Sequence, residues 1–186
     1  MKKIAKLSFD CAAGREIRDK EFEMMNQYND YFINRAYDAL LIDQHVKGYS
    51  LFFTLMYISH RCNWRNTISG LNPQKLYNLA HHTQLSYRAV KYHNQCHASD
   101  VMNHLYDMIF NCDVFKICQM EPMDVFLTII SGAAHDMDHP GTNNAFEMKS
   151  HSKLAILYND ISILEQHHAA SFFFLLENTQ HNCNVL

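Results

Sequence analysis

The chain of 186 residues carries 16 basic and 19 acidic side chains, which give a formal net charge of −3 with histidine neutral. This charge provides no basic surface, so nucleic-acid binding has no electrostatic support. Apolar and aromatic residues make up 48% of the chain, with five glycines and three prolines, a composition that favours a compact helical protein over a disordered one.

The cysteines and the beginning of the chain are typical of a cytoplasmic protein. None of the six cysteines forms a Cys-x-x-Cys pair, so we expect free thiols in a reducing compartment. No apolar signal core follows the basic residues 1–6, and the longest apolar run, residues 51–58, is too short to span a bilayer. Together with the length, these features predict one soluble domain over residues 1–186, without a membrane span.

The first seventy residues predict helices without recognisable chemistry. A core-facing stripe recurs at helical spacing over residues 20–41 and consists of Phe22, Met25, Tyr28, Phe32, Ala36 and Leu40. A second apolar helix is expected over residues 51–59. Residues 60–70 are polar and irregular, which predicts a connection in which Trp64 packs against a neighbouring element.

A third helix is expected to begin at Asn72-Pro73 and to run to about Arg88. Asparagine is a favoured N-cap residue, and proline is tolerated in the first turn. The hexapeptide Tyr92-His93-Asn94-Gln95-Cys96-His97 follows and places two histidines four residues apart. On a helix both rings would leave the same face, about 6 Å apart at Cβ.

The next helices lead to a second histidine motif. Apolar residues at 101, 105, 108 and 109 predict a helix with His97 at its entrance, and Glu121-Pro122 predicts the start of another. The apolar face of this second helix leads directly to His135-Asp136-Met137-Asp138-His139-Pro140-Gly141. Pro140 disfavours helical geometry at His139, and Gly141 permits a sharp turn. The helix should therefore end near the His135-Asp136 dyad.

The last predicted helix begins with a capping box. Ser162 stands at the N-cap and Glu165 at the third helical position. The helix continues through Phe172, Phe173, Leu175 and Leu176. No segment shows convincing strand alternation. The predicted fold is therefore all-α, a compact multi-helix domain.

The two histidine motifs predict a metal hydrolase site. Neutral imidazole together with carboxylate suits zinc, and the remaining oxygen positions suit a harder ion such as magnesium or manganese. Other metal classes fit less well. The chain has no His-Glu-x-x-His run, a single Glu-x-x-His spacing where di-iron bundles need two, and no paired cysteines for a structural zinc site.

Four motifs occur in one order along the second half of the chain. They are Tyr92-His93-Asn94 with His97-Ala98, His135-Asp136-x-Asp138-His139-Pro140-Gly141-x-x-Asn144, Leu154-Ala155-x-x-Tyr158-Asn159-Asp160, and Leu164-Glu165-x-His167-His168. In this order they resemble the class I 3',5'-cyclic-nucleotide phosphodiesterases, within the His-Asp phosphohydrolase group. The resemblance is strong over residues 86–186 and weak over residues 1–70. It implies the helical phosphodiesterase-type (HD-domain-like) fold and the hydrolysis of cAMP or cGMP to 5'-monophosphates in cyclic-nucleotide signalling.

The resemblance also implies a role for each site residue. It makes His97, His135 and Asp136 zinc ligands, with Asp136 bridging to a second ion, magnesium or manganese. It makes His93 the general acid that protonates the departing O3′, after attack by a hydroxide that two metals share. It places His139 and Glu165 around the second ion through bound waters, and Tyr92 and Asn144 where they shape and orient the site.

Parts of the family's site have no counterpart in this sequence. The family's fourth protein ligand is an aspartate well downstream of the Leu164-Glu165 helix, and a glutamine and an aromatic residue hold the purine. None of the three has a match among the 186 residues. The sequence therefore resembles the first half of a catalytic domain, incomplete at its C-terminus, and lacks the residues that select between cAMP and cGMP.

Two classes of function stay open from the sequence. In the first, the chain is a cyclic-nucleotide phosphodiesterase, completed by further sequence or by a partner chain. In the second, it is an inactive protein that binds metal or a partner, with a homo-oligomer or partner chain covering an exposed face. Tyr92-His93-Asn94 and Tyr158-Asn159-Asp160 count against a third class, the His-Asp nucleotidases. We expect the 186 residues alone to be a poor catalyst, with Phe172, Phe173, Leu175 and Leu176 exposed.

Overall fold

The structure, a computed structural model, describes residues 37–185. The helices in this range are α1 Ala39–His45, α2 Ser50–Arg61, α3 Trp64–Thr67, α4 Pro73–Leu85, α5 Gln95–Asn111, α6 Val114–Ile117, α7 Pro122–Ala134, α8 Asn144–Lys149, α9 Lys153–Leu157 and α10 Ile163–Glu177. Residues 37–185 contain no strand, and the all-α prediction is confirmed for this part of the chain. The single domain predicted over residues 1–186 stays a prediction.

The helix predicted over residues 20–41 lies outside the described residues except at its end, where the prediction is wrong. Asp38 is extended, and its carboxylate accepts the Leu41 N–H at 2.9 Å, so a new helix, α1, begins at Ala39. Leu40, predicted to face the core, is 70% exposed. Because α1 starts at the Asp38 N-cap, Leu40 does not keep the helical spacing predicted from the apolar residues before it.

Helix α2 is the central helix of the core. Its residues from Ser50 to Ile58 are buried on every face, as expected for a helix that is apolar all round. Its hydroxyl groups are satisfied internally, because Thr54 Oγ1 lies 2.7 Å from the Ser99 Oγ of α5, and Ser99 donates to the Ser50 carbonyl at 3.2 Å. The helix predicted over residues 51–59 is confirmed.

The connection after α2 contains a helical turn that the sequence did not predict. Helix α3 follows Asn63, which adopts a left-handed conformation with φ 53°. Trp64 is fully buried and packs edge-on against Phe126 of α7, with ring centroids 5.0 Å apart. The predicted packing of Trp64 is confirmed, whereas the irregular conformation predicted over residues 60–70 is wrong.

Helix α4 begins as predicted and ends early. The Asn72 side chain accepts the N–H groups of Gln74 and Lys75, so its N-cap role is confirmed. The helix stops at Leu85, with Ser86 as its C-cap. Arg88 therefore lies in the loop between α4 and α5, where its side chain is available for tertiary contacts.

The close packing of α5 against α7 places the two histidine motifs at one end of the helix pair. A Cβ added to Gly132 of α7 would lie 2.6 Å from the Leu105 Cδ1 and 3.6 Å from the Val101 Cγ1, both on α5. Glycine therefore permits the close approach of the last turn of α7 to the middle of α5. The predicted start of α7 at Glu121-Pro122 is confirmed, and so is its end, with His135 as C-cap.

We predict that α7 stabilises the folded protein through the side chains on its buried face. Ile129→Ala should lower the free energy of unfolding by about 2–5 kcal/mol, because Ile129 is fully buried and its loss leaves a cavity. Leu127→Ala is the matched control, since Leu127 lies on the same helix but is 52% exposed and should change stability by about 0.5 kcal/mol or less. Urea denaturation of both variants measures the difference. Equal losses would show that α7 does not pack as described.

Candidate metal centre

Three predicted ligands meet where α5 begins and α7 ends. The Nε2 atoms of His97 and His135 lie 3.3 Å apart, and the Oδ2 atom of Asp136 lies 3.5 Å from the first and 3.1 Å from the second. Tetrahedral zinc with bonds of about 2.0–2.1 Å sets neighbouring ligand atoms about 3.3 Å apart. The triangle of donor atoms therefore fits a single zinc ion.

The hydrogen bonds of His135 prepare it for metal binding. Its Nδ1 donates to the Gly132 carbonyl at 2.8 Å, which leaves the lone pair of the neutral ring on Nε2. This Nε2 faces the His97 Nε2 at 3.3 Å. Two imidazole nitrogens this close need a shared proton or a cation between them. The chemistry of the donor set is thus that of a cation site.

The local electrostatics keep Asp136 negatively charged beside the imidazole rings of His97 and His135. Burial and the neighbouring His135 lower the pKa of His97, which favours its neutral form. Burial acts the same way on His135, but the Asp136 carboxylate and the Gly132 carbonyl outweigh it and raise the pKa of this ring. Burial would raise the pKa of Asp136, yet the hydrogen bond with His135 and the adjacent charges hold it below its usual range. Metal ions and protons therefore compete for the same atoms.

Asp136 also faces a second group of possible ligands. Donor atoms of Asp136, His139 and His168 all lie within 4.8 Å of one another, and the His168 Nε2 is 3.8 Å from the Asp136 Oδ1. The two carboxylate oxygens thus point towards different histidine groups. His168 was not among the predicted site residues, although it stands in the Leu164-Glu165-x-His167-His168 motif.

The two histidines of the second group differ in tautomer. The Nδ1 of His168 donates to the Met137 carbonyl at 2.7 Å, so its Nε2 can offer a lone pair to a metal. The Nδ1 of His139 instead accepts the Gly141 N–H at 2.9 Å. A neutral His139 therefore carries its proton on Nε2 and donates from it, which suits a contact with water or phosphate rather than with a metal.

His93 lies beside the triad. The sequence predicted it on the same helix as His97, but it lies in the loop before that helix. Asn94 is the N-cap of α5 and accepts the N–H groups of Cys96 and His97, so the helix begins one residue after it, at Gln95. His93 stacks on His139 with ring centroids 3.9 Å apart, and its centroid lies 5.9 Å from that of His97. The ring of the exposed Tyr92 lies beside His97, with the two ring centroids 4.6 Å apart.

Tyr87 is a further residue at the site that the sequence did not reveal. Its hydroxyl donates to the Ala133 carbonyl at 2.9 Å and lies 3.4 Å from the Asp136 backbone nitrogen. It therefore satisfies the last turn of α7, where backbone carbonyls lack helical partners. Only its place in the loop before Tyr92 could have suggested this role.

Asn144 and Glu165 are hydrogen-bonded to each other. The capping box predicted at Ser162 is wrong. Ser162 has φ 42° and makes no side-chain cap. Instead, the Asn144 Oδ1 accepts the Leu164 N–H at 2.9 Å, while its Nδ2 donates to the Glu165 carboxylate at 2.9 and 3.2 Å. A residue twenty positions upstream thus caps α10, and Glu165 is oriented by tertiary contact.

The exposure predicted for the end of α10 is partly wrong. Leu175 is buried at 7% exposure, whereas Phe173 and its unpredicted neighbour Phe174 are 63% and 76% exposed. Nearby segments add further exposed apolar side chains. They are Phe146, Met148, Ile156, Leu157 and Ile161.

A comparison with known protein families identifies the family of this chain. The model described as 3'5'-cyclic nucleotide phosphodiesterase matches residues 92–186, more than half of the chain. The chain belongs to the 3',5'-cyclic nucleotide phosphodiesterase family. The match begins at Tyr92 and includes both groups of possible metal ligands.

Curated phosphodiesterases align with much of the chain. A Caenorhabditis elegans protein named "Probable 3',5'-cyclic-AMP phosphodiesterase pde-4" is 35% identical over 152 residues, which are 80% of this chain and 21% of that protein. The chimpanzee high affinity cGMP-specific 3',5'-cyclic phosphodiesterase 9A is 35% identical over 100 residues, 54% of this chain and 16% of that protein. The chain thus spans about a fifth of these relatives or less.

Solved phosphodiesterase structures share the fold. LmjPDEB1 in complex with IBMX aligns with a TM-score of 0.69 at 21% identity, over 81% of this chain and 46% of that one. The phosphodiesterase domain of the Salpingoeca rosetta rhodopsin phosphodiesterase aligns with a TM-score of 0.60 at 26% identity, over 80% of this chain and 42% of that one. The chain therefore covers less than half of each solved chain.

No helix among residues 37–185 of this phosphodiesterase chain is long and apolar enough to cross a membrane.

We predict that Asn144, not Ser162, stabilises the start of α10. Asn144→Ala should cost about 1 kcal/mol of folding stability, because it removes the cap of Leu164 and the donor to Glu165. Ser162→Ala should change stability by about 0.5 kcal/mol or less, since its hydroxyl caps nothing. Urea midpoints of the two variants decide the matter. A larger loss at Ser162 would restore the capping box that the sequence predicted.

Proposed function

We propose that this chain forms the metal-binding part of a domain that hydrolyses cAMP or cGMP to the 5'-monophosphate. One observation carries the proposal. Donor atoms of His97, His135 and Asp136 form a triangle with sides of 3.1–3.5 Å, although nearly forty residues separate the two motifs. The family to which the chain belongs supplies the reaction class. The unpaired cysteines among the described residues are consistent with a cytoplasmic location.

The two ligand groups support two different ions. The first group has the spacing of a tetrahedral zinc site with an open fourth position. In the second group, Asp136 and His168 offer donor atoms 3.8 Å apart, while His139 would donate to bound water, so most positions around an ion would stay with water, as magnesium or manganese prefers. Divalent ions bound in such a pair lower the pKa of a water molecule and neutralise phosphate charge.

The side chains around the ions can bind and protonate a phosphodiester. His93 is the proposed general acid, because it lies next to the triad without belonging to it and can protonate the departing O3′. The His93 ring stacks on the His139 ring with an angle of 12° between the two ring planes, and this contact fixes the orientation of His93. The Nε2–H of His139 is free to donate to a phosphate oxygen or a water. The Tyr92 ring lies beside His97, and Asn144 holds the Glu165 carboxylate, which would bind waters of a second ion.

We predict that substitutions separate proton transfer from metal binding. In the 186-residue chain, His93→Ala should leave zinc content unchanged, whereas Asp136→Ala should lower it, because only Asp136 belongs to both ligand groups. In a protein that also contains the remaining helices of the domain, His93→Ala should lower kcat by about 10²–10⁴-fold, as is typical for loss of a general acid. Elemental analysis and hydrolysis of cAMP and cGMP provide the two measurements.

The opposite pattern would contradict the assignment. Loss of zinc on His93→Ala, with full zinc content in Asp136→Ala, would exchange the roles of the two residues. His104→Ala is a suitable control, because His104 lies on α5, is exposed and belongs to neither ligand group.

A second function, the binding of a partner chain, is supported by the exposed apolar side chains. Phe173 and Phe174 on α10 are largely exposed, and a concentration of large exposed apolar side chains is typical of interaction sites in soluble proteins. The solved phosphodiesterase chains contain more than twice the matched length. We propose that further helices of a phosphodiesterase domain, or a second copy of the chain, cover this face.

We predict that the 186-residue chain associates through this face and is a weak catalyst alone. Phe174→Ser should shift the molecule towards the monomer in light scattering, because it removes a large exposed aromatic side chain. Tyr49→Ser, an exposed aromatic residue on the loop before α2, is the control. A monomer with the turnover of an ordinary phosphodiesterase domain would contradict this prediction.

A further inference from the structure

Asp138 holds together three segments that are distant in sequence. Arg88 binds its carboxylate with two nitrogens, Nε to Oδ1 at 2.6 Å and Nη2 to Oδ2 at 2.8 Å. The Nε2 of His167 on α10 lies 2.8 Å from Oδ2. Bidentate pairs of this kind restrict geometry more than a single contact does. One carboxylate thus joins the α4–α5 loop, the turn after α7 and helix α10.

Each partner of Asp138 is close in sequence to a proposed site residue. Arg88 precedes His93 in the same loop by five positions, and His167 is the immediate neighbour of His168. Asp138 itself lies two residues after Asp136. The distances between His93, Asp136 and His168 therefore depend on how these three segments are fixed to one another.

Other contacts tie the same segments together on either side of Asp138. The Nδ1 of His168 donates to the Met137 carbonyl at 2.7 Å, next to Asp138. A Cβ on Gly141, which has φ +89°, would lie 3.2 Å from the Val90 Cγ1. The turn after α7 is thus in van der Waals contact with the Arg88 loop and hydrogen-bonded to α10.

The backbone of Asp138 adopts a conformation that few residues tolerate. Its φ is 61°, in the left-handed region where aspartate and asparagine are the most accepted non-glycine residues. This conformation turns the chain between the dyad and Pro140. Asparagine can therefore replace Asp138 without altering the backbone, which makes it the informative substitution.

We propose that Asp138 is a positioning residue, which fixes the loop of His93 and the helix of His168 around the Asp136 carboxylate. The inference rests on the proposed metal site. A surface ion pair by itself contributes little. Asp138 differs from such a pair because it is partly buried and has two partners from separate elements that both adjoin the site.

The test uses Co²⁺, whose visible absorption reports the geometry of its ligands. The 186-residue chain and its Asp138→Asn variant are titrated with Co²⁺ alone. We expect the Kd of the variant to rise about tenfold, towards the 10–100-fold loss typical for residues that orient metal ligands. We also expect a changed absorption spectrum at saturating cobalt, which a loss of stability alone would not produce.

Asp113→Asn is the matched control. Asp113 also has a positive φ, 59°, and pairs with Lys116 at 2.8 Å, but it stands beyond the far end of α5 from the triad. Its variant should bind cobalt like the unchanged chain. His167→Ala is the second test variant, since it removes one contact and keeps the Arg88 pair; it should give a smaller rise in Kd and the same kind of spectral change.

The outcomes separate the two proposals. Cobalt binding by the unchanged chain, with altered Kd and spectrum in Asp138→Asn and in His167→Ala, supports the positioning role. Unaltered binding and spectra in both variants overturn it and leave the metal site intact. If Asp138→Asn does not fold, His167→Ala alone decides. Failure of the unchanged chain to bind cobalt, with the same result for Zn²⁺, overturns the metal site and this inference with it.

Discussion

The packing of α5 against α7 is the constraint on which the rest of the site depends. Ligand atoms must lie within a few ångströms to share an ion, and here they come from the first turn of one helix and the end of another. Gly132 allows this approach, since a side chain there would meet Leu105 at 2.6 Å. Helix α2 supports the pair from the core, through hydroxyl groups as well as apolar surface. The scaffold is rigid where the donors leave it.

Beyond the helices, the turn from His135 to Gly141 organises the polar side chains. Asp136 directs its two oxygens towards different histidine groups, and Asp138 accepts from two further segments. Backbone carbonyls at Gly132 and Met137 set the tautomers of His135 and His168. Hydrogen bonds within the protein thus set the orientation of the candidate ligands.

The described residues form a site on one side and an exposed apolar face on another. Phe173 and Phe174 follow, on the same helix, Glu165 and His168 of the candidate metal centre. Helix α10 therefore carries both a part of the candidate metal centre and exposed apolar side chains.

The sequence by itself determined the helical class, the helix starts at Asn72 and Glu121, and the residues of the triad. These follow from local rules, since caps, prolines and apolar periods act within a few positions, and four ordered motifs identify a family. Only the tertiary structure decided that Asn144 rather than Ser162 caps α10, and that His168 and Asp138 lie beside the candidate triad. Each of these depends on contacts between residues twenty to fifty positions apart, which no local pattern encodes.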